Sequence, residues 1–134
     1  MSAEERLTYV DSSAIVKLAV AEPESKALRR FLSRRRPLVT SSLARTEVAR
    51  ALMPSGTEAV SRGEEVLRRM QLVRLNDRVL RDAGRMEPAE LRSLDAIHLA
   101  CARQLGSAVG QIVTYDERMA GAATASGWSV AAPR

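Results

Sequence analysis

The stretch Arg92-Ser93-Leu94-Asp95-Ala96-Ile97-His98-Leu99-Ala100 places an ionisable group where the chain wants to bury something. Leu91, Leu94, Ile97, His98, Cys101 and Leu105 recur at helical spacing and define a broad apolar sector, and Asp95 adjoins it. A lone carboxylate is rarely buried unless it is paired or bound to a cation. Any fold of this chain therefore has to bring something to Asp95. Arg92, at i,i+3 spacing, offers a local neutralising partner. The distant candidates are Asp11, Glu47 and Asp116.

The rest of the chain alternates short apolar runs with amphipathic ones. Leu7–Val10 reads as a strand, followed at once by the capping residues Asp11-Ser12-Ser13 and a short buried helix from Ala14. Pro23 opens a second helix, with Ala27, Leu28, Phe31 and Leu32 on one face. Pro37–Ser41 is a second strand, and a helix from Ser42 carries Leu43, Val48 and Leu52 to Pro54. Ser55-Gly56-Thr57-Glu58 and Ser61-Arg62-Gly63-Glu64 both resemble capping boxes, so a further helix starts between them and ends near Met70. The polar insert from Ser55 to Gly63 has no assigned place, and a role in substrate or partner choice is open to it.

Leu72–Leu75 is a third strand, and Asn76 or Asp77 caps the helix that follows. A helix from about Ala89 stops at Gly106. Gln111–Tyr115 is the best strand in the chain, with Asp116 directly after it. A small-residue helix ends at Gly127, and Trp128–Ala131 suits an edge strand. These alternations predict one α/β domain over residues 1–134, with a mostly parallel central sheet of four to five short strands flanked by helices. Ligands in such sheets gather beyond the carboxyl ends of the strands, where Asp11 and Asp116 both belong.

Composition narrows the function. The net charge is +5, and all but Lys17 and Lys26 of the 21 basic residues are arginine, whose planar fork suits phosphate and carboxylate. A polyanion such as nucleic acid is the favoured partner, an acidic protein segment the other option. Aromatic residues make up only 3% of the chain, which argues against RNA binding by base stacking. With Cys101 alone there is neither a disulfide nor a thiolate zinc site. No transmembrane-length apolar run or signal-peptide core is found, so the expected location is the cytoplasm.

Taken singly, each acidic candidate has a structural explanation. Asp11 and Asp116 can cap helices, and Glu47 can sit in solvent or pair with Arg50. Together they form an all-oxygen set that selects hard divalent ions, Mg²⁺ or Mn²⁺, over zinc. Such an ion polarises phosphoryl oxygens and acidifies bound water, the chemistry of phosphodiester hydrolysis. His98, the only histidine, reads as structural, donating a hydrogen bond near Asp95, and Cys101 as a small core residue. A nucleophile elbow, a Walker loop and a dinucleotide-binding loop are all missing.

Four pieces carry a resemblance: Tyr9-Val10-Asp11-Ser12-Ser13-Ala14, Ser41-Ser42-Leu43 with Thr46-Glu47-Val48, Arg92–Ala100, and Thr114-Tyr115-Asp116-Glu117-Arg118-Met119. In order and spread they resemble PIN-domain ribonucleases, specifically the VapC-type toxins of toxin–antitoxin pairs. The resemblance implies a metal-dependent endoribonuclease leaving a 5′-phosphate and a 3′-hydroxyl. It implies Asp11, Glu47, Asp95 and Asp116 as catalytic residues, with Asp11, Asp95 and Asp116 toward the metal. Ser13 and Thr114 would be polar residues beside the metal water or phosphate. It also implies a homodimer and a small inhibitory antitoxin. Two other readings stand beside it, a non-catalytic basic module that docks RNA or protein and a nuclease directed at DNA.

Overall fold

A computed structural model describes residues 6–134. Strands β1 (Leu7–Val10), β2 (Leu38–Ser41), β3 (Gln71–Val73), β4 (Val109–Val113) and β5 (Val130–Ala131) form one sheet in the order β3-β2-β1-β4-β5. Every neighbouring pair is parallel. The helices are α1 (Ser12–Ala19), α2 (Ser25–Ser33), α3 (Ala44–Leu52), α4 (Thr57–Arg68), α5 (Asp77–Gly84), α6 (Ser93–Leu105) and α7 (Glu117–Ala125).

Alternating strand side chains feed two cores, as the two-residue period of a strand requires. Tyr9, Val39, Val73 and Ile112 pack with Val79, Leu99 and Met119 from α5, α6 and α7. Val10, Leu38 and Val113 pack with Ile15, Leu28, Val48 and Leu67 from α1 to α4. Burial on both faces is why these strands read as continuous apolar runs. Within α6 the buried Ala96, Ala100, Cys101 and Ala102 are small, which lets that helix lie close to the sheet.

Several boundaries differ from the sequence reading. The helix expected from Ala89 begins at Ser93, because Arg92 is extended (φ −66°, ψ 149°) and its neighbours Ala89, Glu90, Arg92 and Ser93 are exposed, with no apolar face to hold a helix. Pro88 also biases Glu87 away from helical backbone. The second helix starts at Ser25 and not at Pro23. There the Ser25 hydroxyl donates to the Val20 carbonyl and accepts from the Glu22 N–H. Asp116 stands three positions past the end of β4, although the Thr114 N–H still reaches the Ala131 carbonyl at 3.1 Å. Trp128 and Ser129 precede β5 and are not part of it.

Neither capping box forms. Ser61 lies inside α4, whose N-cap is Gly56 at φ 99° with no side-chain bond. The insert that had no place is thus the first half of a helix laid against α3. A Cβ on the buried Gly63 would sit 2.6 Å from Leu52 Cδ1 and 2.9 Å from Val48 Cγ1, so the missing side chain sets how closely the two helices approach. No helix among the described residues is long and apolar enough to cross a membrane.

Candidate active site

The chain lays β2 and β3 on one side of β1, then crosses to lay β4 and β5 on the other. The switch between directions falls between β1 and β4, where open α/β sheets leave a crevice at their carboxyl ends. The Asp11 N–H bonds the Val113 carbonyl at 3.1 Å and ties the two strand ends together. Residues leaving those strands therefore share one edge.

Asp11 is buried and caps α1, its Oδ1 accepting from the Ala14 N–H at 3.2 Å and from Ser13 Oγ at 2.7 Å. Oδ2 accepts from Thr114 Oγ1 at 2.6 Å. Burial pushes this carboxyl above its ordinary range, and the hydrogen bonds from Thr114 and Ser13 only partly oppose it. The two hydroxyls also accept from the chain that leaves β4. Ser13 Oγ takes the Tyr115 N–H and Thr114 Oγ1 takes the Asp116 N–H, each at 3.0 Å. Ser13 and Thr114 thus donate to Asp11 and fix it against the loop that carries Asp116. Asp116 caps α7 with Oδ1, which accepts from the Arg118 and Met119 N–H groups at 2.9 and 3.1 Å, leaving Oδ2 outside the cap.

Asp95 sits in the first turn of α6, half-buried. Its Oδ2 is one of two buried side-chain oxygens among the described residues with no hydrogen-bond partner, Thr40 Oγ1 being the other. Burial first, then Asp116 and Asp11, push its carboxyl up, with His98 and Arg92 opposing. Arg92 is exposed and makes no ion pair with Asp95 among the described residues, so its charge offsets that rise only in part.

Glu47, in the first turn of α3, is not paired with Arg50, whose guanidinium reaches Met53 Sδ instead. Glu47 Oε1 accepts from Ser12 Oγ and pairs with His98 Nε2, both at 2.6 Å. Burial raises its carboxyl, but the hydrogen bonds from His98 and Ser12 outweigh that and hold it below the usual range. On the far side of the ring, His98 Nδ1 meets the Tyr9 hydroxyl at 2.7 Å, the two rings 5.8 Å apart and nearly perpendicular. His98 is buried between these two groups, and its carboxylate partner is Glu47 and not Asp95. The sequence reads Ser12 only as a capping residue and Tyr9 only as part of a strand, and the structure adds the site contacts of both. The available signal was the spacing: His98 lies one turn after Asp95, and Ser12 follows Asp11 directly.

These groups line a cleft of about 310 Å³, with Asp11, Ser12, Ser13, Glu47, His98 and Asp116 inside and Arg92, Ser93, Leu94 and Asp95 from the start of α6. A larger cleft, about 630 Å³ beside α7, has Glu87 as its only acidic lining residue. Among the described residues no three histidine, cysteine or acidic side chains stand close enough together to hold a metal ion by themselves. The arrangement still fits a hard cation that keeps part of its water shell and takes a few carboxylate oxygens, as Mg²⁺ does. The orphaned Asp95 oxygen, on a carboxyl raised by burial and by the charges of Asp116 and Asp11, is the negative charge the fold leaves uncompensated.

A PIN domain model matches residues 8–124, which include all four acidic candidates. The chain is 55% identical over 125 residues to Ribonuclease VapC46 of Mycobacterium tuberculosis, covering 93% of this chain and 96% of that one. It is 39% identical over 132 residues to Ribonuclease VapC35 of the same species, covering 95% and 97%. Among solved structures it is similar to Mycobacterium tuberculosis VapC20, a Sarcin-Ricin loop cleaving toxin, at TM-score 0.76 and 18% identity over 94% of this chain and 99% of that one. A toxin–antitoxin complex from Klebsiella pneumoniae matches at TM-score 0.72 and 16% identity over 95% and 98%; at such identities the likeness is one of fold. With 117 matched residues carrying the whole acidic cleft and close relatives of full length, the chain belongs to the PIN-domain family, among its VapC-type ribonucleases.

Proposed function

We propose that the chain, as one PIN-like domain, is an endoribonuclease that hydrolyses RNA phosphodiester bonds at the acidic cleft and serves as the toxin of a toxin–antitoxin pair. The observation that carries the site assignment is the unpartnered, buried Asp95 Oδ2 beside Asp11 and Asp116. Asp11, Asp95 and Asp116 would hold Mg²⁺ or Mn²⁺, which when bound polarises a phosphoryl oxygen and makes water more acidic.

The chain's own groups do the rest. Ser13 and Thr114 keep Asp11 oriented, so its oxygens do not reorganise when the cation arrives. Glu47, held as a carboxylate, accepts the proton that the attacking water gives up. Arg92 and Leu94 at the lip of the cleft meet the RNA strand, the guanidinium on a flanking phosphate. The arginine-rich surface offsets the repulsion between RNA and the acidic cleft. The water oxygen bonds to phosphorus as the phosphorus–O3′ bond breaks, and the departing 3′-oxygen takes a proton from solvent, so the products are an RNA with a 3′-hydroxyl and one with a 5′-phosphate. The cognate partner is a small antitoxin, the place of action the cytoplasm, and the assembled form a homodimer; the mass of the purified protein in solution is expected to be that of two chains.

Thermal unfolding with and without Mg²⁺ or Mn²⁺ tests the cation assignment. A cation at about a hundred times its Kd adds roughly 2.7 kcal/mol to wild type. For a chain this size that is a rise of roughly 10 °C. Asp95→Asn is expected to fold and to lose most of that rise. An equal rise in both proteins would remove Asp95 from the cation site.

A further inference from the structure

The cleft has a second half in which no cation is needed. Four side chains from four separate elements form a continuous line: the Tyr9 hydroxyl on β1, the His98 ring on α6, Glu47 on α3 and Ser12 on α1. Tyr9 is fully buried and His98 is 2% exposed, so water does not compete for the bond between them. Both donors to Glu47 end on Oε1, which leaves Oε2 as the oxygen available to the cleft.

We propose that His98 is a positioning residue: its Nε2–H, fixed by the Tyr9 hydroxyl at Nδ1, holds Glu47 so that Oε2 receives the proton from the attacking water. This rests on the ribonuclease reading and adds to it a division of labour within the cleft.

Three observations converge on that assignment. The Tyr9 hydroxyl, fully buried and 2.7 Å from Nδ1, offers its hydrogen to that nitrogen. Glu47 is held as a carboxylate, and a carboxylate oxygen 2.6 Å from Nε2 demands a hydrogen on that nitrogen. The opposite tautomer would set two lone pairs against each other at that distance. Finally, the two rings stand 81° apart, so Tyr9 addresses His98 at its edge and locks its rotation without stacking on it. Any buried imidazole needs a partner on each nitrogen; here one of the two is a carboxylate that lines the cleft.

His98 is the only histidine, so the test has one signal to read. In protein labelled with ¹⁵N-histidine, the imidazole spectrum is expected to show hydrogen on Nε2, with Nδ1 as an acceptor. Glu47→Gln should move the Nε2–H resonance. A bare Nε2, or a spectrum indifferent to Glu47→Gln, would overturn the proposal.

The kinetic arm compares His98→Gln with His98→Asn. The glutamine amide reaches the position of Nε2, the asparagine amide only that of Nδ1. His98→Asn is expected to lose roughly ten- to hundred-fold in kcat, with KM for RNA and the Mg²⁺-induced melting shift near wild type. His98→Gln is expected to recover most of the loss. Equal kcat in the two variants would contradict the role. If wild type itself cleaves no RNA, the ribonuclease reading fails, while the imidazole spectrum still decides the His98–Glu47 bond.

Discussion

At the scale of single residues, the cleft is built from groups that do two jobs. Asp11 and Asp116 cap α1 and α7 with one set of lone pairs and present the remainder to the cleft. Asp95 caps nothing and has an oxygen without a partner, so in the metal-free protein its charge is a cost. Its raised carboxyl gives that cost a pH signature. The folded protein holds the proton above the unfolded value of about 3.9, so between there and the raised folded value it binds more protons than the unfolded chain, and stability falls as pH rises. Asp95→Asn removes this term. In chelator the variant is expected to melt above wild type at pH 7, the gap closing toward about pH 4. Thermal melts at the two pH values check it; a variant less stable than wild type at pH 7 would make Asp95 a structural residue. Glu47 runs the other way, because its lowered carboxyl adds stability that is lost only as pH falls below the ordinary carboxylate range. The sequence made Asp95 conspicuous because an acid interrupts an apolar helix. Glu47 could not be read so, since its partners Ser12 and His98 lie 35 and 51 positions away.

At the scale of elements, the site depends on how closely α3, α4 and α6 can be packed. Small residues on α6 let it approach the sheet, and Gly63 on α4 does the same against α3. Gly63→Val is expected to destabilise the fold by roughly 2–3 kcal/mol, since stiff branched carbons would meet Val48 and Leu52. Chemical denaturation measures this, and an unchanged midpoint would mean that α4 is free to shift. Because Glu47 shares α3 with Val48, the same substitution is expected to lower cleavage per folded molecule. Strand positions and the capping residues Asp11, Asn76 and Asp116 were legible from local pattern. The start of α4 was not, because its N-cap is a positive-φ glycine with no side-chain cap, and both serine motifs imitated a signal the fold does not use. The start of α6 was overextended for a related reason: Leu91 continues the apolar spacing, yet the surrounding residues are solvent-exposed and no neighbouring element stabilises a helix there.

At the scale of the whole molecule, parallel order sets the architecture of the cleft. Asp11 and Asp116 meet because β1 and β4 are neighbours pointing the same way, and α6, which packs on one face of the sheet and precedes β4 in the chain, delivers Asp95 to the same edge. The chain's net positive charge then has to attract RNA to a cleft that is itself acidic. Binding of uncleaved RNA by Asp95→Asn is expected to weaken as salt rises, the logarithm of affinity falling by about 0.7 per phosphate neutralised for each unit of log salt. Filter binding or anisotropy over a salt series reads the slope, and a flat response would deny the arginines that role. The expectation of a parallel α/β sheet with acids at its carboxyl edge followed from strand–helix alternation alone. The strand order needed the structure, because nothing local in β4 states which side of β1 it joins.

The most direct test of the acidic cleft as a ribonuclease centre is cleavage of a structured RNA pool by the purified, partner-free protein. It is run with Mg²⁺ or Mn²⁺, with chelator, and with Asp95→Asn beside wild type; Asp95 is preferred to Asp11 because it carries no helix cap. Cleavage that requires the cation and disappears in the variant is the expected result. Cleavage that survives in chelator, or in Asp95→Asn at the wild-type rate, would contradict the account.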